Sequence, residues 1–143
     1  MSPDITVKTK LGEYLVKDGL MYTESDEWIK IDENVLTIGV TDYAQKKLRY
    51  IVNVELPDIG REVKAGESVV VLESVKTIAD VYAPAAGKVI EVNENLYDTP
   101  ELINKDPYGE GWLVKLELTE DLPKEKLLTP DDYAKKIEKE ETK

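Results

Sequence analysis

The sequence predicts a mainly β protein, a small barrel or sandwich, and three observations carry that prediction. Short runs rich in β-branched residues fill the first three quarters of the chain. Glycine and proline punctuate them at Gly12, Gly19, Pro57, Gly60, Gly66, Pro84 and Gly87, a spacing that suits strands joined by tight turns. Helix-start signals interrupt the pattern in only three segments.

Residues 1–19 form an amino-terminal extension in which ITVKT and EYLVK alternate as a strand pair would. A β domain is expected over residues 20–128, beginning with EWIKI and VLTIGV. Residues 41–49, TDYAQKKLR, then read as a helix: Thr41 serves as N-cap, Asp42 suits the positive helix end, and Ala44 and Leu48 share a face. Its Lys46, Lys47 and Arg49 read first as solvated helix charges and second as a docking patch. The runs IVNVEL, SVVVLE, IADVYA and KVIEV return to strand. Asp98 to Glu101 start a short helix, with Thr99 as N-cap and Pro100 at the first helical position. Trp112, after Gly111, is expected as a core anchor. Residues 129–143 form a carboxyl-terminal helix and tail, begun by Thr129 and Pro130, with Tyr133 and Ile137 as its apolar edge and EETK fraying.

Composition removes several kinds of chemistry. The 143 residues include no cysteine and no histidine, which excludes disulfides, thiolate metal sites, Ser-His-Asp and Cys-His catalysis and His-zinc centres. Thirty acidic against nineteen basic residues give a net charge of −11, which speaks against nucleic acid as a partner. No run reaches the length of a membrane span, and MSPDITVKTK lacks the apolar core of a signal peptide, so a cytoplasmic protein is expected.

The stretch LESVKTIADV concentrates the functional signal. Gly66 lies ten residues before Lys76 and Gly87 eleven after it, with one apolar run between each glycine and the lysine. Matched hairpin arms therefore present Lys76 at their tip. Both glycines are expected where the backbone needs positive φ or close packing. Ser74 to Thr77 contain none of the residues that primed turns require, and a type I turn, which tolerates most residues, would fit. Taken alone, Lys76 is an edge-strand charge that discourages pairing, or a lysine presented for acylation on a rigid post.

Five segments in order resemble the H proteins of the glycine cleavage system: YTESDEWIKI, TIGVTDYAQ, VELPDIGREVKAGE, SVKTIADVYAPAAGKVIEVN and NKDPYGEGWLVKL, with ESVKT as the lipoyl-lysine motif. The resemblance covers nearly the whole chain from Leu20 onward. It implies a flattened β-barrel, a barrel–sandwich hybrid, and a non-catalytic, monomeric carrier with lipoate joined to Lys76 through an amide. Glu73, Ser74, Val75 and Thr77 would be read by the lipoylating enzyme. Glu27 and Asp80 would face the cationic aminomethyl intermediate in a sheltering cleft. The implied partners are a pyridoxal-phosphate glycine decarboxylase, a tetrahydrofolate-dependent aminomethyltransferase and dihydrolipoamide dehydrogenase. An alternative is a similar lipoyl carrier of another pathway, such as sulfur oxidation or lipoate relay. The tip SVKT differs from the Met-Lys-Met of biotinyl domains and the Asp-Lys-Ala common in other lipoyl domains. Departures from the family pattern are Asp26, where His is usual, and Arg49 and Tyr50, where Gly-Asp is usual. Arg49 enters a left-handed conformation less cheaply than Gly, so the helix end is expected to differ.

Overall fold

Alternation of apolar and polar residues organises the chain into three antiparallel sheets, seen in a computed structural model that describes residues 3–142. Met1, Ser2 and Lys143, at the outer ends of the extension and the tail, lie outside the described residues. The extension forms the expected strand pair, β1 (Ile5–Thr9) with β2 (Gly12–Val16).

A six-stranded sheet contains β3 (Met21–Tyr22), β4 (Glu27–Asp32), β5 (Val35–Val40), β7 (Glu62–Val63), β10 (Gly87–Val92) and β11 (Val114–Leu118). Their order is β3-β4-β5-β11-β10-β7. The third sheet, β6-β8-β9, is built from β6 (Ile51–Glu55), β8 (Ser68–Ser74) and β9 (Ile78–Tyr82). One apolar cluster joins the two larger sheets: Ile29, Leu36, Ile38 and Leu116 from one meet Ile51, Val54, Leu72 and Val81 from the other. The fold is thus mainly β with the expected carboxyl-terminal helix. Its sheets face each other without closing into a single hydrogen-bonded barrel.

Glycine acts where the sequence placed it. Gly66 turns the chain at φ 86°, and at Gly87 a Cβ would lie 2.8 Å from the Glu117 carbonyl oxygen. Helix α1 (Asp42–Leu48) begins as expected, with Thr41 Oγ1 accepting from Ala44 N–H at 3.1 Å. Helix α4 (Pro130–Glu141) starts the same way, Thr129 Oγ1 accepting from Asp132 N–H at 3.2 Å.

Three local expectations fail. The short helices are α2 (Asn95–Asp98) and α3 (Leu102–Lys105); Thr99 ends the first and Glu101 is the N-cap of the second, without a side-chain cap bond. Thr99 N–H bonds back to the Asn95 carbonyl at 2.9 Å, which commits it to the preceding turn. Trp112 is only half-buried, its ring covered by Lys115 Nζ at 5.3 Å; Trp28 is the buried anchor, donating from Nε1 to the Pro107 carbonyl at 2.8 Å. The tail does not fray at Glu141, because Tyr14 and Tyr43 donate their hydroxyls to its carboxylate.

Those last bonds belong to a second apolar cluster, in which Val7, Tyr14 and Val16 of the extension meet Tyr43, Tyr133 and Ile137. Tyr22 stacks on Tyr133 with centroids 4.6 Å apart. Burial of each such side chain stabilises the fold by about 1.5–3 kcal/mol. The extension is held by polar bonds as well: Leu15 N–H donates to Asp42 Oδ2 and Tyr108 Oη donates to the Leu15 carbonyl.

Candidate functional site

Strand pairing builds the Lys76 tip. In the β8–β9 arms Leu72 faces Ala79 and Glu73 faces Ile78, while Ile51 of β6 pairs with Ser74. A side-chain oxygen closes the tip. Thr77 N–H donates to Ser74 Oγ at 3.0 Å instead of to the Ser74 carbonyl, and Lys76 N–H donates to the same oxygen at 3.1 Å. Ser74 N–H donates to the Thr77 carbonyl at 2.8 Å, and Val75 N–H donates to the Tyr50 carbonyl at 3.0 Å. A short serine hydroxyl can satisfy both donors locally. Ser74 is therefore buried, whereas Glu73, Val75, Lys76 and Thr77 are exposed. Val75 is 69% and Ile78 67% exposed, so apolar side chains flank the lysine on both sides.

Two clefts flank this hairpin. The smaller, about 160 Å³, lies between β4, α1 and β9 and brings Glu27 and Asp80 together, with Asp26 and Lys47 also lining it. Glu27 is 2% exposed and fully engaged. Its Oε1 accepts from the Thr23 and Ser25 hydroxyls, and its Oε2 accepts from Tyr82 N–H of β9 at 3.1 Å, tying the two larger sheets together. Burial pushes its pKa up, outweighing the three donors that favour the ionised form. Asp80 is exposed, and its Oδ1 accepts from Ser68 Oγ at 2.7 Å. The two carboxylates thus differ in kind: one is a buried fixed charge and the other an accessible one.

Asp26 has φ 72°, which Asp tolerates better than most residues. Its Oδ1 accepts from Tyr133 Oη at 2.9 Å and Lys136 Nζ at 3.4 Å, linking the β3–β4 turn to α4. Burial again raises its pKa, against the pull of Lys136.

The larger cleft, about 760 Å³, has Lys76 itself in its lining. The β1–β2 turn makes one wall, α1 and α3 another. Arg49 sits on this wall at φ 70°, ψ −154°. The helix end keeps the conformation that glycine would favour, contrary to the expectation that it would differ. Arg49 N–H donates to the Gln45 carbonyl at 2.9 Å, and Asn104 Nδ2 donates to the Arg49 carbonyl at 2.8 Å. These bonds hold a conformation that costs a side-chain-bearing residue about 1–3 kcal/mol. Asn104 had no signal in the sequence, because its partners lie more than fifty residues away. Among the described residues no group of three Asp or Glu side chains is placed to hold a metal ion.

A family model described as glycine cleavage H-protein matches residues 20–140. The chain belongs to that family. A probable glycine cleavage system H protein of Aeropyrum pernix is 51% identical over 94% of this chain and 94% of its own. That of Carboxydothermus hydrogenoformans is 49% identical over 88% of this chain and 97% of its own. The crystal structure of a glycine cleavage system H protein from Mycobacterium marinum superposes with a TM-score of 0.79 at 38% identity, covering 85% of this chain and 98% of that one. As an H protein, the chain is a non-catalytic lipoyl carrier component of glycine cleavage. Its match to the Aeropyrum pernix relative leaves fewer residues uncovered than the extension contains, so that H protein shares part of the β1–β2 region.

Proposed function

We propose that this H protein carries lipoate as an amide on Lys76 Nζ and shuttles the aminomethyl intermediate of glycine among the enzymes of the system. The observation that carries the reading is the Ser74-clamped tip: it fixes the backbone beneath an exposed lysine whose neighbours Val75 and Ile78 offer apolar contact to an acyl chain. The unprotonated ε-amine attacks an activated lipoyl carboxyl, forming the amide and releasing the activating group and a proton. When bound, lipoate supplies the dithiolane that takes up the one-carbon unit and is later reoxidised. The protein supplies rigidity at the post and a high effective concentration at each partner site.

The smaller cleft suits a cationic amine. Asp80 is the accessible acceptor, and Glu27 contributes negative charge from beneath. Glu73, Val75 and Thr77 form the surface a lipoylating enzyme reads, while Ser74 acts from below by shaping it. The partners are glycine decarboxylase, aminomethyltransferase and dihydrolipoamide dehydrogenase, visited by a monomeric carrier in the cytoplasm. No helix among the described residues is long and apolar enough to cross a membrane.

Intact mass spectrometry after incubation with lipoate, ATP and a lipoate–protein ligase tests the site. One lipoyl adduct is expected, absent in Lys76→Arg; an unmodified wild-type protein would refute the assignment. Exchange of labelled carbon dioxide into glycine by the cognate decarboxylase tests the pathway, and no stimulation by the lipoylated protein would favour another one.

A further inference from the structure

The larger cleft is electrostatically out of character with the rest of the chain. Lys46, Lys47, Arg49, Lys76 and Lys105 line it against only Glu13 and Glu141, in a protein of net charge −11. Of these cations only Lys46 has a carboxylate within 4.0 Å among the described residues, Asp42 at 3.2 Å. Among the described residues, none of the other four cations has a carboxylate within that distance, in a chain of thirty acidic residues. Arg49 adds a second, independent sign: a residue with a charged side chain occupies a backbone conformation that favours glycine, and it lines this cleft. Leu11 and Tyr50 leave large apolar surfaces exposed at the same cleft, 73% and 63%.

We infer that this cleft docks an acidic segment of the enzyme that lipoylates Lys76, and that it distinguishes the unmodified protein from the product. The inference rests on the assignment of Lys76 as the lipoylated residue. Lys76 is itself one of the five cations, so forming the amide removes a positive charge from the docking surface. An enzyme held by this charge binds its substrate more tightly than its product. The carrier's other partners must engage the modified form, and so gain nothing from that charge. Charge complementarity of this type acts on encounter and is weakened by salt.

Initial rates of lipoylation by a lipoate–protein ligase, measured by intact mass at varied carrier concentration and ionic strength, test the inference. Lys47→Glu with Lys105→Glu is expected to raise KM about tenfold with kcat retained, and to flatten or reverse the salt dependence. With excess enzyme the same variant should still reach complete modification at Lys76. Arg49→Gly should raise KM while its urea midpoint stays equal or rises, which a merely structural arginine would not do. Ligase should bind Lys76→Arg more tightly than Lys76→Gln. An unchanged KM in the charge-reversed protein would overturn the inference while leaving Lys76 as the lipoyl site. Loss of coupling to the decarboxylase with lipoylation rates unchanged would overturn it in favour of a different occupant. Failure of the wild-type protein to be modified at all would remove both.

Discussion

Ser74 and Lys76 divide the work of the tip between them. The serine hydroxyl takes two backbone donors and leaves the lysine side chain free of any hydrogen bond among the described residues. Ser74→Ala is expected to leave the Lys76 and Thr77 amides unpartnered and to destabilise the fold by about 1–2 kcal/mol. Urea unfolding measures that loss, and hydrogen exchange should accelerate at those two amides while Leu72 and Val81 keep their protection. Exchange unchanged at the tip would mean that the hydroxyl is dispensable. At this scale much was legible: Lys76 at a tip, Thr41 and Thr129 as caps, Gly66 and Gly87 as special backbone. Each depends on partners only a few residues away. The clamp role of Ser74 was not legible, since a serine beside a turn has several local bonds open to it and only the strand register selects one.

Among the elements, β4 is joined to β9 through one buried carboxylate. Glu27 takes the hydroxyls of Thr23 and Ser25 from its own turn and the Tyr82 amide from the facing sheet. Its folded pKa stands above the ordinary 4.5, so folding favours the protonated form. Its contribution is therefore most favourable below about pH 4.5 and diminishes as pH rises through the folded value. Asp26 shifts in the same direction from its ordinary 3.8. Glu140, held down by Lys136, has the opposite sign and loses its contribution as pH falls. Stability of Glu27→Gln relative to wild type, followed by urea unfolding between about pH 4 and 8, should improve as pH rises. A difference that is flat with pH would show that Glu27 ionises as freely in the folded protein as in the unfolded chain. Glu27 and Asp80 line one cleft without bonding to each other. The structure adds that their environments are unlike.

Over the whole molecule, the extension and α4 form a flank against the β domain. Tyr133 is the junction: its ring stacks on Tyr22 and its hydroxyl meets Thr41 and Asp26. Tyr133→Phe retains the stacking and removes those bonds, so a loss of about 1–3 kcal/mol in urea unfolding is expected. A loss well below that range would place the stability of this flank in apolar packing alone. Asp26 is matched by Lys136, 110 residues away. The sequence by itself determined the β class, the two capped helices and the lysine at a hairpin tip, because periodicity, caps and glycine turns act over neighbouring residues. Only the tertiary structure decided that Trp28 rather than Trp112 is the buried anchor and that Arg49 keeps a glycine-like conformation. It also decided that Lys76 lines a basic cleft, while Glu27 and Asp80 line an acidic one. Those features depend on which distant strands and helices meet, and burial, charge pairing and backbone strain are properties of that meeting.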